Sequence, residues 1–300
     1  MKRLSFALFS VENNDFQGEQ VKDARTAADR LGIQLQIIHT EHDAIRQSEL
    51  ILNLLQSTSA RPDGILFEPV GTPLAQAARL AAISSVGWVV LNRESVDYIP
   101  SLRQQYRAPM FSISASHFEV GRIQGEQIAQ LLPNGGCILY IQGPSDNEAS
   151  SRRFAGMQAA KPGSVEVRSL KGVWTEQSAY KAVSSWLTLS IARELALGAV
   201  AAQNDAMALG ARKAFQETTD ERWRTLPFLG CDGLAATGRS AVASGLLAAT
   251  VVIPSNAGRA VEALASALQK GEQPPESIRT EPTSFPALAS LRPTAKAATK

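Results

Sequence analysis

The sequence predicts an α/β protein with two lobes, each built on a parallel sheet, and three observations support this fold class. Short apolar runs alternate with segments of helical length and spacing, which is the pattern of βαβ units. The alternation is interrupted at 94–109 and then starts again. The chain has 300 residues, 44% of them hydrophobic, which allows a sizeable core and is too long for one small domain.

The first half of the chain predicts four strands and three helices. Strand candidates are short apolar runs, and helix candidates carry small or aliphatic residues on one face. In order, the predicted elements are a strand at 4–10, a helix at 20–31, a strand at 33–38, a helix at 44–55, a strand at 64–67, a helix with Thr72 as N-cap and Pro73 at its first position, and a strand at 88–91. The polar segment 94–109 has no clear period and is predicted to be a loop or a short irregular excursion.

The second half repeats the same alternation. The predicted elements are a strand at 111–115, a helix at 117–132, a strand at 137–142, a helix at 148–160, a strand at 165–170, a helix at 175–189, a strand at 199–202, a helix with Asp205 as N-cap, strands at 227–231 and 247–253, a helix at 256–269 and a weak strand at 277–280. Prolines and polar residues dominate from Gly271 onward. Two successive α/β halves therefore amount to a coarse duplication.

Composition excludes several classes of function. Thirty basic and 28 acidic side chains give a formal charge of +2, which provides no broad basic surface for nucleic acid or a membrane. No apolar run approaches the ~20 residues that span a bilayer, so membrane insertion is not expected. The two cysteines, Cys137 and Cys231, lie in apolar runs and have no metal-like spacing.

Motifs of common enzyme classes are missing from the sequence. There is no G-x-G-x-x-G after a strand, no Walker A motif, no G-x-S-x-G and no H-E-x-x-H. The three histidines, His39, His42 and His117, form no cluster with metal-like spacing. We therefore expect a protein that is not an enzyme and that needs no cofactor and no metal.

Polar or aromatic residues follow six of the predicted strands, and carboxyl ends of strands are where open α/β sheets bind ligands. Amide, carboxylate and guanidinium groups pair with adjacent hydroxyls, while aromatic rings cover the C–H face of a sugar. The pattern predicts a carbohydrate site to which both lobes contribute. Each residue alone has a simpler explanation, because loops are polar, Asp205 can be only a cap and Trp174 can be a packing aromatic. The pattern also does not distinguish Arg152 from Arg153.

Three segments together resemble a known family. They are A-A-Q-N-D-A-M-A-L-G-A at 201–211, G-C-D-G at 230–233 and S-G-L-L-A-A-T-V at 244–251. Weaker matches are F-S-V-E-N-N-D-F at 9–16, L-N-R at 91–93, I-Q-G at 141–143 and R-R-F-A-G at 152–156. In this order, over nearly the whole chain, the sequence resembles the type I periplasmic sugar-binding proteins of the ribose-binding kind. Their fold is shared by the effector domains of lac-repressor-like regulators.

The resemblance implies two Rossmann-like lobes joined by three hinge crossovers, with the ligand enclosed when the hinge closes. It places the N-terminal lobe at 1–114 plus 254–281 and the C-terminal lobe at 115–253 plus 282–300. It also implies binding roles for ten positions, with Phe16 and Trp174 as stacking rings. These positions are Ser10, Asn14, Phe16, Asn92, Arg93, Arg153, Trp174, Asn204, Asp232 and Ile253.

The sequence departs from the family pattern in ways that concern the ligand. Asn92 stands where the family usually has aspartate, which removes a charge-assisted acceptor. Ile253 replaces a glutamine that commonly contacts the sugar, so we expect it to face a less hydroxylated part of a deoxy or methylated sugar. Ser116 and His117 replace the usual Asp-Asn at the first crossover.

The resulting functional expectation is a solute-binding protein that closes on a monosaccharide or sugar-like polyol for an ABC-type sugar transporter. Its expected partners are the sugar and an ABC permease, with no nucleic acid bound by this chain alone, and the chain is expected to be a monomer. The expected location is the periplasm if a leader has been removed. The alternative is a cytoplasmic location, since no signal peptide is visible. The alternative function is a ligand-sensing effector domain of a transcriptional regulator or a signalling receptor.

Overall fold

The structure is a computed structural model that describes residues 3–11, 14–71 and 74–293, except for the side chain of Arg193. The chain divides into two compact units. The first unit comprises residues 1–115 and 255–280, and the second comprises residues 116–254 and 281–300. The chain therefore passes from one unit to the other three times.

The first unit is built on a six-stranded sheet in which every neighbouring pair is parallel. Its strands are β1 (Ser5–Ser10), β2 (Gln34–His39), β3 (Gly64–Phe67), β4 (Gly87–Leu91), β5 (Met110–Ala115) and β11 (Ser277–Thr280). Their order across the sheet is β11-β5-β4-β3-β1-β2. Parallel pairing places the carboxyl ends of all six strands at one edge.

Helices cover both faces of this sheet. They are α1 (Asp15–Leu31), α2 (Ala44–Gln56), α3 (Ala75–Ile83), α4 (Ile99–Gln105) and α11 (Ala257–Lys270). Helix α4 lies inside the segment 94–109, which was predicted to be a loop or a short irregular excursion, so this prediction was wrong for residues 99–105. The predicted N-terminal residues of the third helix, Thr72 and Pro73, lie outside the described residues, and α3 begins at Ala75.

The core of the first unit has two halves, one on each face of the sheet. On one face, α1 and α11 pack against strand residues such as Phe6 and Leu8. Leu264 of α11 reaches the amino ends of β3 and β4, because an added Cβ at Gly64 or Gly87 would overlap its side chain. Helix α11 comes from the C-terminal part of the chain and is thus an integral part of this core.

The second unit also contains six strands, of which five run parallel. They are β6 (Gly136–Gln142), β7 (Val165–Lys171), β8 (Leu197–Ala202), β9 (Phe228–Asp232), β10 (Ala249–Val252) and β12 (Thr283–Phe285). The order is β12-β10-β9-β8-β6-β7, and β12 runs antiparallel to β10. The predicted class, two α/β units with mainly parallel sheets, is confirmed.

The helices of the second unit are α5 (His117–Leu131), α6 (Glu148–Ala160), α7 (Glu176–Leu187), α8 (Ser190–Glu194), α9 (Asp205–Gln216) and α10 (Ser240–Ala243). A π-helical turn at Ala235–Arg239 precedes α10. This turn, α8 and α10 were not predicted, because each is too short to show a clear period.

Two glycines bring α5 and α6 into backbone contact. An added Cβ at Gly121 of α5 would overlap the carbonyl oxygen of Arg153, and one at Gly156 of α6 would overlap the carbonyl oxygen of Phe118. Backbone atoms cannot move aside as a side chain can, so the spacing of these helices requires glycine at both positions. Because Arg153 belongs to α6, this spacing also fixes where its side chain begins.

We predict that Gly156→Ala lowers the free energy of unfolding by about 1–3 kcal/mol, the usual cost of an overpacked contact. The matched control is Gly18→Ala in α1, where an added Cβ meets no atom within 4 Å. The control should gain up to about 1 kcal/mol, because alanine has the higher helix propensity. Urea unfolding of both variants measures the difference, and equal stabilities would contradict the proposed helix contact.

Candidate functional site

A chain of hydrogen bonds runs along the carboxyl edge of the first unit. Gln17 Nε2 and Asn92 Nδ2 each donate to Glu68 Oε2 at 2.7 Å. Asn256 Nδ2 donates to Asn92 Oδ1 at 2.7 Å, and Thr280 Oγ1 donates to Asn256 Oδ1 at 2.9 Å. These residues come from five places in the fold: the first turn of α1, the ends of β3, β4 and β11, and the start of α11.

Glu68 is the acidic member of this chain, and it was not among the predicted site residues. Gln17 and Asn92 are buried, whereas Glu68 is partly exposed. Within the described part of the chain, its second oxygen, Oε1, accepts no hydrogen bond. Glu68 therefore presents a fixed carboxylate with one oxygen for a further donor. The sequence does contain an indication that Glu68 lies at this edge, because Glu68 directly follows a buried strand and precedes Pro69.

The predicted residues of the first unit lie at this same edge. Ser10 is buried at the end of β1, and Phe16 is half-buried in the first turn of α1. Asn14 is the N-cap of α1, where its side chain accepts from the backbone N–H of Gln17 at 2.9 Å. Arg93 donates to the carbonyl oxygens of Asn92 and Pro69 at 3.3 and 3.2 Å.

Two predicted residues of the second unit, Trp174 and Asp232, lie around a third, Arg153. This arginine is 6% exposed, and its Nη1 donates to the carbonyl oxygen of Gln203 at 2.5 Å. The same Nη1 lies 3.7 Å from Oδ1 of Asp232. The guanidinium carbon lies 5.5 Å from the centroid of the Trp174 ring, within the range of a cation–π interaction. A cation, a carboxylate and an aromatic ring thus form one group.

The structure also separates the two adjacent arginines. Arg152 is exposed and pairs with Glu148, one turn earlier in α6, at 2.9 Å. Arg153 points into the protein, toward the ends of β8 and β9. The helix rotates successive side chains by about 100°, which accounts for the difference.

Trp174 is held by its neighbours in an uncommon backbone conformation, with φ at +64°. Its carbonyl oxygen accepts from Asn204 Nδ2 at 2.8 Å. Its ring packs against Gly143, where an added Cβ would overlap ring atoms. The backbone N–H of Gly143 in turn donates to Gln203 Oε1 at 2.8 Å. Gln203 and Asn204 therefore fix the segments that carry Trp174.

The predicted N-cap of α9 was wrong by one residue. Asn204 is the N-cap, since its Oδ1 accepts from the backbone N–H of Met207 at 2.9 Å. Both ends of the Asn204 amide are consequently used within the second unit. Asn and Asp are nearly equal as caps, so adjacent candidates cannot be distinguished by residue type alone.

Asp205 makes longer-range contacts instead. Its Oδ2 accepts from the backbone N–H of Gly233 at 2.8 Å, and its Oδ1 accepts from Thr250 Oγ1 at 2.6 Å. Burial, and secondly the charge of Asp232, raise the pKa of Asp205 to about 8. The hydrogen bonds from Thr250 and Gly233 and the charge of Arg153 lower the pKa of Asp205, but by less.

Asp232 and Ile253 lie at the ends of β9 and β10. The backbone of Asp232 has φ at +99°, and its carbonyl oxygen accepts from the backbone N–H of Ile253 at 3.0 Å. The Ile253 side chain is buried.

The described residues include neither a membrane-spanning helix nor a group of metal-binding side chains. No helix within 3–11, 14–71 and 74–293 has the length and apolar character needed to cross a membrane. Over those same ranges, no three histidine, cysteine, aspartate or glutamate side chains are grouped so that they could hold a metal ion.

Comparison with known proteins gives consistent matches. A family model described as the periplasmic binding protein domain matches residues 6–273. The ribose import binding protein of Escherichia coli strain K12 is 25% identical over 272 residues, which cover 88% of this chain and 84% of that protein.

Two solved structures have the same fold over nearly their full length. One is an ABC transporter periplasmic solute binding protein from Actinobacillus succinogenes with bound D-allose. Its TM-score is 0.82 and its identity 17%, and the match covers 94% of this chain and 97% of that chain. The other is a structure from Mycobacterium smegmatis in complex with β-D-fucofuranose. Its TM-score is 0.77 and its identity 20%, and the match covers 99% of this chain and 94% of that chain.

The raised pKa of Asp205 predicts a specific pH dependence of stability. An unfolded aspartate has a pKa of about 3.9, so the folded chain holds this proton more tightly. The stabilisation is complete below about pH 4 and is lost as the pH rises through about 8. Relative to Asp205→Asn, the wild type should lose on the order of 1 kcal/mol per pH unit between pH 5 and pH 8.

Urea unfolding of both proteins at pH 5, 6, 7 and 8 measures this difference. The asparagine variant is the control, because it keeps an acceptor for the Gly233 N–H and cannot ionise. A difference that stays constant with pH would mean that Asp205 is already ionised in the folded chain at pH 5.

Proposed function

This chain belongs to the periplasmic binding protein domain family, and we propose that it binds a monosaccharide or a sugar-like polyol through the polar groups at the carboxyl edges of its two sheets. The arrangement of Arg153, Trp174 and Asp232 carries this proposal. A guanidinium and a carboxylate offer a donor and an acceptor to adjacent hydroxyls, and an indole ring offers an apolar face. A sugar ring presents both kinds of surface, because its hydroxyls lie at the edge of the ring and its C–H bonds form an apolar face.

We propose that Glu68 is the acidic acceptor of the first unit. Asn92 lacks the charge that the family usually has at that position, and its amide donates to Glu68. The carboxylate at the end of β3 would thus replace the carboxylate missing at the end of β4. Arg93, next to Asn92, supplies donors at the same edge.

The known ligands of the compared proteins support a monosaccharide of five or six carbons. The E. coli relative is named for ribose, and the two structures hold D-allose and β-D-fucofuranose. The last is a 6-deoxy sugar. A buried apolar side chain at Ile253 suits a ligand with a methyl group or a missing hydroxyl. We therefore place deoxy sugars with ribose and allose as the first ligands to test.

We further propose that the protein acts without catalysis, as the binding component of a transport system. The family is one of substrate-binding proteins, and relatives are named as import or ABC transporter components. In this proposal the chain works as a monomer in the periplasm and delivers its sugar to an ABC-type permease. A screen that detects sugar binding without sugar turnover would support this, and turnover of a bound sugar would contradict it.

A thermal-shift panel followed by calorimetry tests the ligand class. The panel contains D-ribose, D-allose, D-fucose, L-arabinose, myo-inositol and ribose 5-phosphate. A ligand specific for the folded state raises the melting temperature by mass action. At least one neutral sugar or polyol should do so at micromolar to millimolar concentration, and a response to the phosphate alone would contradict the proposal.

We predict that Arg153→Gln weakens binding of the best sugar at least tenfold, since a charge-assisted hydrogen bond contributes about 1.5–3 kcal/mol. Arg152→Gln is the matched control, because the same substitution one residue earlier removes an exposed arginine, which pairs with Glu148 at 2.9 Å. Its affinity should equal that of the wild type. Calorimetry at a temperature where both variants are folded measures the two affinities. If both variants lost the same affinity, the sugar would not bind beside Arg153.

We also predict that Glu68→Gln weakens binding by roughly tenfold, because a neutral amide accepts hydrogen bonds less strongly than a carboxylate. The control Glu19→Gln removes an exposed carboxylate of α1 that lies 3.8 Å from Lys22. It should leave the affinity unchanged. Should Glu68→Gln bind as tightly as wild type, the acidic acceptor of the first unit is not Glu68.

A further inference from the structure

Asp205 is a buried carboxyl group that the proposed ligand contacts do not use. It lies in the first turn of α9 and is 3% exposed. Its two oxygens accept from the Gly233 N–H after β9 and from the Thr250 hydroxyl in β10. One side chain therefore joins a helix, a strand end and a neighbouring strand.

Two glycines, Gly230 and Gly238, lie directly against this carboxyl group. An added Cβ at Gly230 would overlap Oδ1 of Asp205, and one at Gly238 would overlap Oδ2. Gly230 lies in β9 and Gly238 in the π-helical turn that follows it. The site thus fits a carboxyl or amide group closely, and a larger side chain at either glycine would displace it.

The hydrogen bond from the Gly233 N–H to Asp205 stabilises the turn that contains Asp232. Asp232 has φ at +99° and Gly233 has φ at +60°, two successive residues in the left-handed half of conformational space. A non-glycine residue keeps such a conformation only when its surroundings hold it. The Asp205 oxygen, 2.8 Å from the Gly233 nitrogen, is a hydrogen-bond partner that holds this turn.

We propose that Asp205 is a positioning residue for ligand recognition, which holds the Asp232–Gly233 turn so that the Asp232 carboxylate faces both Arg153 and the ligand. This inference rests on the proposed sugar-binding function. Asp205 itself does not touch the ligand and acts through Asp232.

The electrostatic surroundings agree with this role. Asp232 and Cys231 of β9 and Arg153 of α6 are the titratable groups that interact with Asp205. Burial raises the pKa of Asp205 well above its usual range and so favours the protonated form, in which Oδ2 still accepts from the Gly233 N–H and the Oδ1 hydroxyl donates to Thr250 Oγ1, without a second negative charge beside Asp232. Burial also raises the pKa of the Cys231 thiol, which remains neutral.

A double-mutant cycle with Asp232 tests the inference. The probe is D-ribose or D-allose, whichever binds the wild type more tightly in calorimetry. Asp205→Ala should raise the Kd at least tenfold in the wild-type background and less than threefold in the Asp232→Ala background. Equal factors in the two backgrounds would show that Asp205 acts independently of Asp232 and would overturn the proposal.

Two further variants separate positioning from a general loss of stability. Asp205→Asn retains an acceptor for the Gly233 N–H and should bind within threefold of wild type. Thr250→Val removes the other hydrogen bond of Asp205, so it should lower the melting temperature and leave the Kd within threefold. If the Kd rose in every variant whose melting temperature fell, the loss of binding would be explained by stability alone and the proposal would be overturned.

A spectroscopic measurement covers the case in which Asp205→Ala does not fold. In protein labelled with ¹⁵N-glycine, the Gly233 amide signal should shift with a midpoint near pH 8, and Asp205→Asn should abolish this shift. A Gly233 signal that titrates identically in both proteins would overturn the proposal. Absence of binding by the wild type to every sugar in the panel would instead refute the proposed function and leave this titration unaffected.

Discussion

Parallel pairing of strands is the constraint on which the polar groups at the carboxyl edge of each unit depend. Within each unit it brings the carboxyl ends of distant chain segments to one edge, where their polar side chains must satisfy one another. In the first unit this produces the chain of amides that ends on Glu68. In the second it produces the group around Arg153. The chemistry at each edge is therefore a consequence of topology together with a few residues per strand end.

Small residues are as important to this chemistry as the polar ones. Gly121 and Gly156 set the distance between α5 and α6, and so determine where the Arg153 side chain starts. Gly143 provides the surface on which the Trp174 ring rests. Arg153 and Trp174 are thus each supported by a glycine position where an added Cβ would collide with a neighbour. Substitutions at these glycines would displace the two side chains without changing a polar group.

The sequence was sufficient for the fold class and for most strands and helices, because the alternation of apolar runs and helical stripes is a strong local signal. It was insufficient where the signal is short or ambiguous. Helix α4 and strand β12 are brief and lie among polar residues and prolines, and Asn204 and Asp205 are equivalent as caps by type. Glu68 was missed because a glutamate after a strand is ordinarily a solvated loop residue. Its role depends on Gln17 and Asn92, which only the folded chain brings together.

The position of α11 in the chain has a consequence for synthesis on the ribosome. The core of the first unit requires Val261 and Leu264, although β1 to β5 are translated long before them. When the chain has been made as far as residue 254, the sheet face that includes Phe6 and Leu8 is covered by α1 without its partner helix. The first unit to be translated therefore cannot complete its core until residues 255–280 emerge. The second unit is translated as far as residue 254 before the core of the first unit can be complete.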